Sequence, residues 1–406
     1  MQPDLRRATA LLAVAAGVAV STVYFAQPLL VAMGESFGIS PSKVGLFVTA
    51  TQIGYGVGLF LLVPLGDLVD RRRLIVFQFV LLATALLVIG TAQTASLLLV
   101  GLAATGLLAV VTQSLVALAA SLAGQAQRGR AIGAVTSGVV IGILLARTAA
   151  GALADLAGWR TVYLASAGLS LVLALALHLA LPTRDRRELT LGYGALVRST
   201  LTLFREERAF RVRAVLALLI FAAFSTLWSS LALPLDHLSH TAVGAFGLAG
   251  VAGALAAGPA GRLNDRGFSR GTTGAALGLL AISWVPLAYT TKSLWALVIG
   301  AVLLDLAVQA VHVTNQSLIY ELRPDAGSRL IGGYMVFYSA GSALGAAGST
   351  AIYDIAGWLA VCLLGLTFSL LALLVWAFDA NPPAKRSRRQ PRSGSRSTLQ
   401  ANGHAR

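Results

Sequence analysis

The sequence predicts an all-α membrane protein in which twelve transmembrane helices form two six-helix repeats. Three observations carry this. Hydrophobic residues make up 57% of the chain and charged residues 12%, where a soluble domain has roughly 45–50% and about 25%. Apolar stretches of about 20 residues, enough to cross a hydrocarbon core, recur twelve times between short polar breaks. Signature residues of the first six stretches return in the second six at fixed offsets.

The predicted spans cover 8–32, 42–63, 73–92, 95–122, 131–153, 160–181, 213–235, 242–260, 271–290, 293–320, 329–351 and 358–379. Span 1 follows Arg6 and Arg7 as a signal peptide would. It exceeds a 7–15-residue signal core and lacks a clear small-residue cleavage site, so it is expected to be the first helix.

The net charge of +15 is spread unevenly. With both termini cytoplasmic, 27 of the 31 Lys and Arg fall on the cytoplasmic side, among them Arg71, Arg72, Arg73, Arg128, Arg130, eight arginines over 182–213, and seven basic residues in the tail. Lys43, Arg160 and Lys292 fall outside, and Arg147 lies within a span. The positive-inside rule selects this orientation, that of a multi-pass protein with both termini cytoplasmic. The tail run Lys385 to Arg389 is expected to meet anionic lipid rather than nucleic acid. The single cysteine, Cys362 in span 12, excludes an intrachain disulfide or a thiolate metal cluster and reads as packing.

Four segments follow: a six-helix half over 1–181, a basic cytoplasmic linker over 182–212, a second half over 213–380, and a basic tail over 381–406 expected to be disordered. An offset of 199 superposes Arg130 on Arg329, Gly142 on Gly341, Asp155 on Asp354 and Gly158-Trp159 on Gly357-Trp358. An offset of 195 superposes Pro64-Leu65-Gly66 on Pro259-Ala260-Gly261 and Asp70-Arg71 on Asp265-Arg266. Parallel six-span repeats place a solute site near the membrane midplane between the halves.

The loop Gly66-Asp67-Leu68-Val69-Asp70-Arg71-Arg72-Arg73 resembles the G-x-x-x-D-R-x-G-R-R signature of the major facilitator superfamily, and Gly261-Arg262-Leu263-Asn264-Asp265-Arg266-Gly267 resembles a second copy. The likeness extends over all but the tail and is nearest to bacterial drug and sugar efflux permeases. It implies the major facilitator fold, a cytoplasmic gate latched by Gly66, Asp70, Arg71, Gly261, Asp265 and Arg266, and a cavity lined by spans 1, 4, 7 and 10. Three positions depart from the family pattern: Arg73 replaces a glycine, Ile143 follows Gly142 where proline is usual, and Leu102 stands where proton-coupled exporters of this type carry an arginine.

Charges within spans are costly and mark function. At 1.5 Å per residue, Arg147 lies about 7 Å and Asp305 about 3 Å outward of the midpoints of their spans; the resemblance to the superfamily implies that span 5 of one half approaches spans 8 and 10 of the other, so an Arg147–Asp305 ion pair across the halves is expected. Asp305, Gln309, His312 and Gln316 share one helical face by their spacing. His312 falls opposite Gln113 under the 199 offset and is a candidate for proton coupling. Tyr24, Gln27, Ser225, Trp228 and Ser229 would complete a lining of mixed polarity. The glycine pairs Gly54/Gly58, Gly138/Gly142 and Gly341/Gly345 permit close helix approach. His237 and His240 read as solvated and show no metal-ligand spacing.

Apart from Asp379, the last residue of span 12, the predicted spans hold one Asp, Asp305, and no Glu, and the chain has no phosphate-binding G-x-x-x-x-G-K-[ST] loop. An enzyme, ATP coupling, a metal and a cofactor are therefore not expected. The expectation is a monomeric secondary transporter that exports a small organic solute by alternating access, with protons as coupling ion. The alternatives are an uncoupled facilitator and a non-transporting receptor on the same fold.

Overall fold

A computed structural model describes residues 3–123, 127–181, 193–322 and 327–379. Among these, nine helical stretches are long and apolar enough to span a membrane, and one of them, Leu330–Phe378, is long enough for two. Gly357 divides it, since its φ of 69° and ψ of −166° end one helix and start the next. With α1 and α9 added, twelve helices result: α1 (Pro3–Ser21), α2 (Gly45–Leu61), α3 (Arg71–Thr91), α4 (Ala95–Leu122), α5 (Arg128–Ala157), α6 (Trp159–Ala180), α7 (Arg208–Ser230), α8 (His240–Asp265), α9 (Ser269–Leu287), α10 (Leu294–Leu322), α11 (327–356) and α12 (358–378). No strand occurs among the described residues. The linker's described part forms a helix, Tyr193–Glu206; residues 182–192 and the tail lie outside the described residues.

The repeat extends to the backbone. Gly158, between α5 and α6, has φ 83° and ψ 158°, nearly the conformation of Gly357 between α11 and α12. A side chain at this φ would be strained, and in both copies the next residue is the tryptophan that starts the following helix.

Span 1, expected as one helix, is interrupted. After Ser21 the backbone tightens to bonds between residues three apart, as in Tyr24 N to Ser21 O and Gln27 N to Tyr24 O. A 3-10 turn, Gln27–Leu29, follows, and a short helix, Leu30–Ser36, completes the crossing. Pro28 has no N–H and so cannot continue an α-helical ladder. Tyr24 and Gln27 stand on this tightened stretch.

Surface and interior are reversed from those of a soluble domain. α6 exposes Val172, Leu175 and Leu179, and α12 exposes Leu359, Leu363 and Leu374; such rows suit lipid, not water. Within each half the helices approach at glycine: Gly142 lies against the Gly17 carbonyl of α1, and its repeat mate Gly341 against the Leu218 carbonyl of α7.

The halves meet along α5–α8 and α2–α11, at the end of the bundle opposite Arg71–Arg73. The two seams are repeat images. Thr148 donates to the Gly244 carbonyl across one at 3.1 Å, and Thr49 donates to the Ala343 carbonyl across the other at 3.1 Å. Gly151 packs on His240, while Gly45 packs on Thr350, so the glycine changes sides with the repeat.

A valine at Gly345 would collide with the Ala222 carbonyl and the Thr226 amide. Overpacking of this kind costs about 1–3 kcal/mol. Gly345→Val is therefore expected to lower the thermal unfolding midpoint of the detergent-purified protein. Gly278→Val, where nothing lies within 4 Å of an added Cβ, should leave it in place, and equal shifts would refute this packing.

Candidate functional site

At the arginine-bearing end the halves separate around a cavity of about 790 Å³ walled by Leu59 of α2, Gln113 and Ser121 of α4, Arg128 of α5, Tyr320 of α10 and Met335 of α11. Gly66 and Arg71 also border it. Its inner limit is a layer of buried rings. Tyr55 hydrogen-bonds the Gln113 side chain and meets Tyr338 edge-on at 6.5 Å. The Tyr338 ring lies 4.1 Å from Phe221, and its hydroxyl bonds that of Tyr24 at 2.8 Å. Tyr24 belongs to the first half and Tyr338 to the second, so this bond crosses between them.

Beyond the rings sits Arg147, 3% exposed. Its Nε donates to Gln27 Oε1 at 2.5 Å, and its guanidinium lies over three rings: Trp228 at 4.4 Å, Tyr24 at 5.1 Å and Phe224 at 5.8 Å. Its Nη2 is buried without a hydrogen-bond partner. Asp305, 4% exposed, accepts the indole N–H of Trp228 at 3.1 Å. The expected Arg147–Asp305 ion pair is therefore not made in this state. Trp228 lies between them, offering its ring face to the cation and its N–H to the carboxylate.

The local sequence explains how these groups fit. Gly244, Gly247, Gly250 and Gly253 recur every third residue in α8, which is 3-10 over Phe246–Ala249, where three residues make one turn. Added carbons would meet the Arg147 carbonyl at Gly244, the Arg147 side chain at Gly247, Asp305 Oδ2 at Gly250 and Gln309 at Gly253. A flat face of α8 thus admits both charged residues.

The α10 face expected to line one cavity is shared between two neighbours. Asp305 and Gln309 turn to α8. His312 bonds the Tyr334 hydroxyl at 2.9 Å and meets Phe221 edge-on, and Gln316 approaches the Met335 sulfur at 4.0 Å. Of the residues predicted for the lining, Gln113 borders the cavity; Tyr24, Gln27, Arg147, Trp228 and Asp305 assemble behind the rings. Ser225 and Ser229 bond one another, 3.1 Å apart.

The gate-motif copies differ in structure. Asp70 caps α3 by accepting from Arg73 N at 2.9 Å, and Arg71 donates to the Gly66 and Ala117 carbonyls at 2.8 and 3.3 Å, all within one half. Asp265 instead falls in the last turn of α8, exposed like Arg266. Gly267, at φ 88°, lets the helix run through these residues before turning, whereas extended Val69 ends its helix before Asp70.

His240, expected to be solvated, is docked. Asp155, at the end of α5, accepts from the backbone N–H groups of His240 and Thr241 at 3.0 and 2.8 Å and from the Thr241 hydroxyl at 2.6 Å, and meets His240 Nδ1 at 2.7 Å. A carboxylate of one half thus caps a helix of the other. Its repeat mate Asp354 is exposed and makes no such bond among the described residues. At the corresponding end of α2 the Thr350 hydroxyl of α11 donates instead to the Ser42 carbonyl at 3.2 Å. Sequence reasoning missed the capping role of Asp155 and the ring layer of Tyr55, Phe221 and Tyr338; the three-residue glycine rhythm of α8 was the legible signal for the close packing.

Comparison with known proteins agrees with this architecture. The family model described as Major Facilitator Superfamily matches residues 10–235 and 213–405. An uncharacterized transporter of Escherichia coli O157:H7, YgaY, is 46% identical over 370 residues, covering 90% of this chain and 94% of its own. The purine ribonucleoside efflux pump NepI of Escherichia coli O127:H6 is 30% identical over 159 residues, 38% of this chain and 39% of its own. Among solved structures, a bacterial homolog of the human lysosomal transporter Spinster superposes with a TM-score of 0.76 at 14% identity, covering 93% of this chain and 97% of that one.

Spin labels at Thr91→Cys and Lys292→Cys, in a Cys362→Ala background, report the separation of the halves at the end where Asp155 sits. Asp155→Asn is expected to add a longer-distance population and Asp354→Asn to leave the distribution unchanged. Identical distributions for both variants would show that the cap does not hold this end closed.

Proposed function

Because the chain belongs to the major facilitator superfamily, we propose that this membrane transporter is a secondary active exporter that moves a small organic solute by alternating access in exchange for protons. The observation that carries the reading is the buried Arg147–Trp228–Asp305 cluster, held between the halves and divided from a one-sided cavity by paired tyrosines. Alternating access requires a path closed at one end and open at the other, around groups whose charge can change. Asp305 is the buried carboxylate in the interior of a predicted span and takes the proton; Arg147 is its counter-charge. Tyr24, Gln27 and Trp228 hold the pair in place. Gln113 meets solute in the cavity, and Gln309, His312 and Gln316 border its path along α10. Asp70 and Arg71, with Asp265 and Arg266, close the opposite gate when the arginine-bearing ends come together.

In this reading the protein works as a monomer in a bacterial cytoplasmic membrane, with the arginine-bearing end and both termini cytoplasmic and in contact with anionic lipid. The mixture of amide, hydroxyl and apolar groups around the cavity suits an amphipathic solute. The partial likeness to a purine ribonucleoside efflux pump makes purine ribonucleosides the first solutes to test.

Proteoliposomes preloaded with a solute panel that includes a purine ribonucleoside provide the test. Wild-type protein is expected to support counterflow and to accumulate solute against its gradient when a pH gradient is imposed. Asp305→Asn should keep counterflow but reduce gradient-driven accumulation to the level of protein-free liposomes. Counterflow indifferent to pH would identify an uncoupled facilitator, and the absence of any flux across the panel would favour a receptor.

A further inference from the structure

We infer that Trp228 is the positioning residue through which the protonation state of Asp305 sets the place of Arg147 and, through it, the seal between the halves. This inference rests on the reading of Asp305 as the proton site and adds the route by which the proton is felt.

One indole makes two contacts on perpendicular axes. Its N–H, in the ring plane, donates to Asp305 Oδ1 at 3.1 Å; its face carries the Arg147 guanidinium at 4.4 Å. A hydrogen bond to an ionised carboxylate is roughly twice as strong as one to a neutral acceptor. Protonating Asp305 therefore loosens the bond that fixes the ring's orientation, and a cation is attracted to an aromatic face rather than its edge. A ring free to turn no longer holds the guanidinium over its face.

Arg147 in turn contacts the tightened stretch after α1 twice, through Gln27 and through the Tyr24 ring. The Tyr24 hydroxyl makes the cross-half bond to Tyr338. The contacts Asp305, Trp228, Arg147, Tyr24 and Tyr338 thus form an unbroken chain over α10, α7, α5, the stretch after α1, and α11. The indole N–H is a point at which this chain can be cut without removing a charge. The titratable and charged groups facing Asp305 from neighbouring helices are Arg147 and Tyr24; α8 presents glycine there.

The test uses the full-length protein in proteoliposomes with the proton as sole ligand, and reads the Thr91/Lys292 spin-label distance between about pH 5 and 8. The wild type is expected to redistribute between two distance populations. Asp305→Asn should abolish that response. Trp228→Phe, which keeps a ring but loses the N–H, should reduce the pH-driven change in the population ratio roughly tenfold, as loss of a hydrogen bond to a charged group implies. Trp228→His, which restores a ring N–H, should recover part of it.

If the wild type does not respond to pH, or if Asp305→Asn responds normally, the assignment of Asp305 as the proton site fails, and the relay with it. If Asp305→Asn is silent while Trp228→Phe responds like the wild type, the proton site stands and the relay alone is refuted. Should Trp228→Phe not fold, a folded Trp228→His without a pH response refutes the relay equally.

Discussion

The guanidinium of Arg147 sets the terms for the structure around it. A charged side chain at the centre of a membrane helix costs about 2.5–3.5 kcal/mol on insertion scales, and Arg147 is almost wholly shut off from solvent. Its compensation comes from separate segments: an amide and a ring from the stretch after α1, two rings from α7, and a carboxylate on α10 felt through Trp228. These segments belong to different halves. The same cation that would be intolerable in lipid therefore binds the halves together at depth. It does so only because α8 is smooth: bulk at Gly247 would displace the arginine, and bulk at Gly250 would press on Asp305.

The duplication supplied the frame but not the chemistry. The two seams at the closed end are repeat images, with the threonine staple donated by α5 in one and by α2 in the other, and the glycine breaks at 158 and 357 are repeat images too. Under the 199 offset, however, Arg147 corresponds to Ala346 and Asp305 to Gly106. Ala346 packs on Gly45 at the α2–α11 seam, and Gly106 lets α4 lie against Thr51 of α2. Two equivalent seams have diverged into one that carries charge and one that carries close packing. The Asp155 cap follows the same division, since it secures the seam with Arg147 and has no counterpart across the other among the described residues.

The sequence made legible whatever depends on lipid or on repetition. Twelve spans follow from hydropathy, and the paired Gly-Trp breaks from the offset; the isolation of Arg147 and Asp305 as charges at depth follows from composition. Contact between them was not legible, because it depends on how far each helix is rotated. A face shared by Asp305, Gln309, His312 and Gln316 on one helix need not meet one neighbour; over three turns α10 passes from α8 to α11, and the face is divided between them. The motif copies differ for a local reason: Gly267 stands where Arg72 would under the 195 offset, and a residue able to adopt positive φ changes where the helix ends. The ring layer lacked any spacing signal, since Tyr55, Phe221 and Tyr338 lie on three helices.

An indole between the two charges has a physical advantage over direct contact. Removing one partner of a buried ion pair costs about 3–5 kcal/mol, because the other is left uncompensated, and a carrier whose pair had to part in every cycle would face a barrier of that kind. Through Trp228 each charge keeps partners of its own: the carboxylate has an N–H, and the cation, when the indole turns, still has the Gln27 amide and the Tyr24 and Phe224 rings. Either can change its state without stripping the other bare. The unpartnered Nη2 of Arg147 fits this arrangement, since a guanidinium with a donor in reserve can rebond as the helices shift. A device built for rigidity would satisfy every donor; this one leaves a donor unsatisfied where the two halves must move.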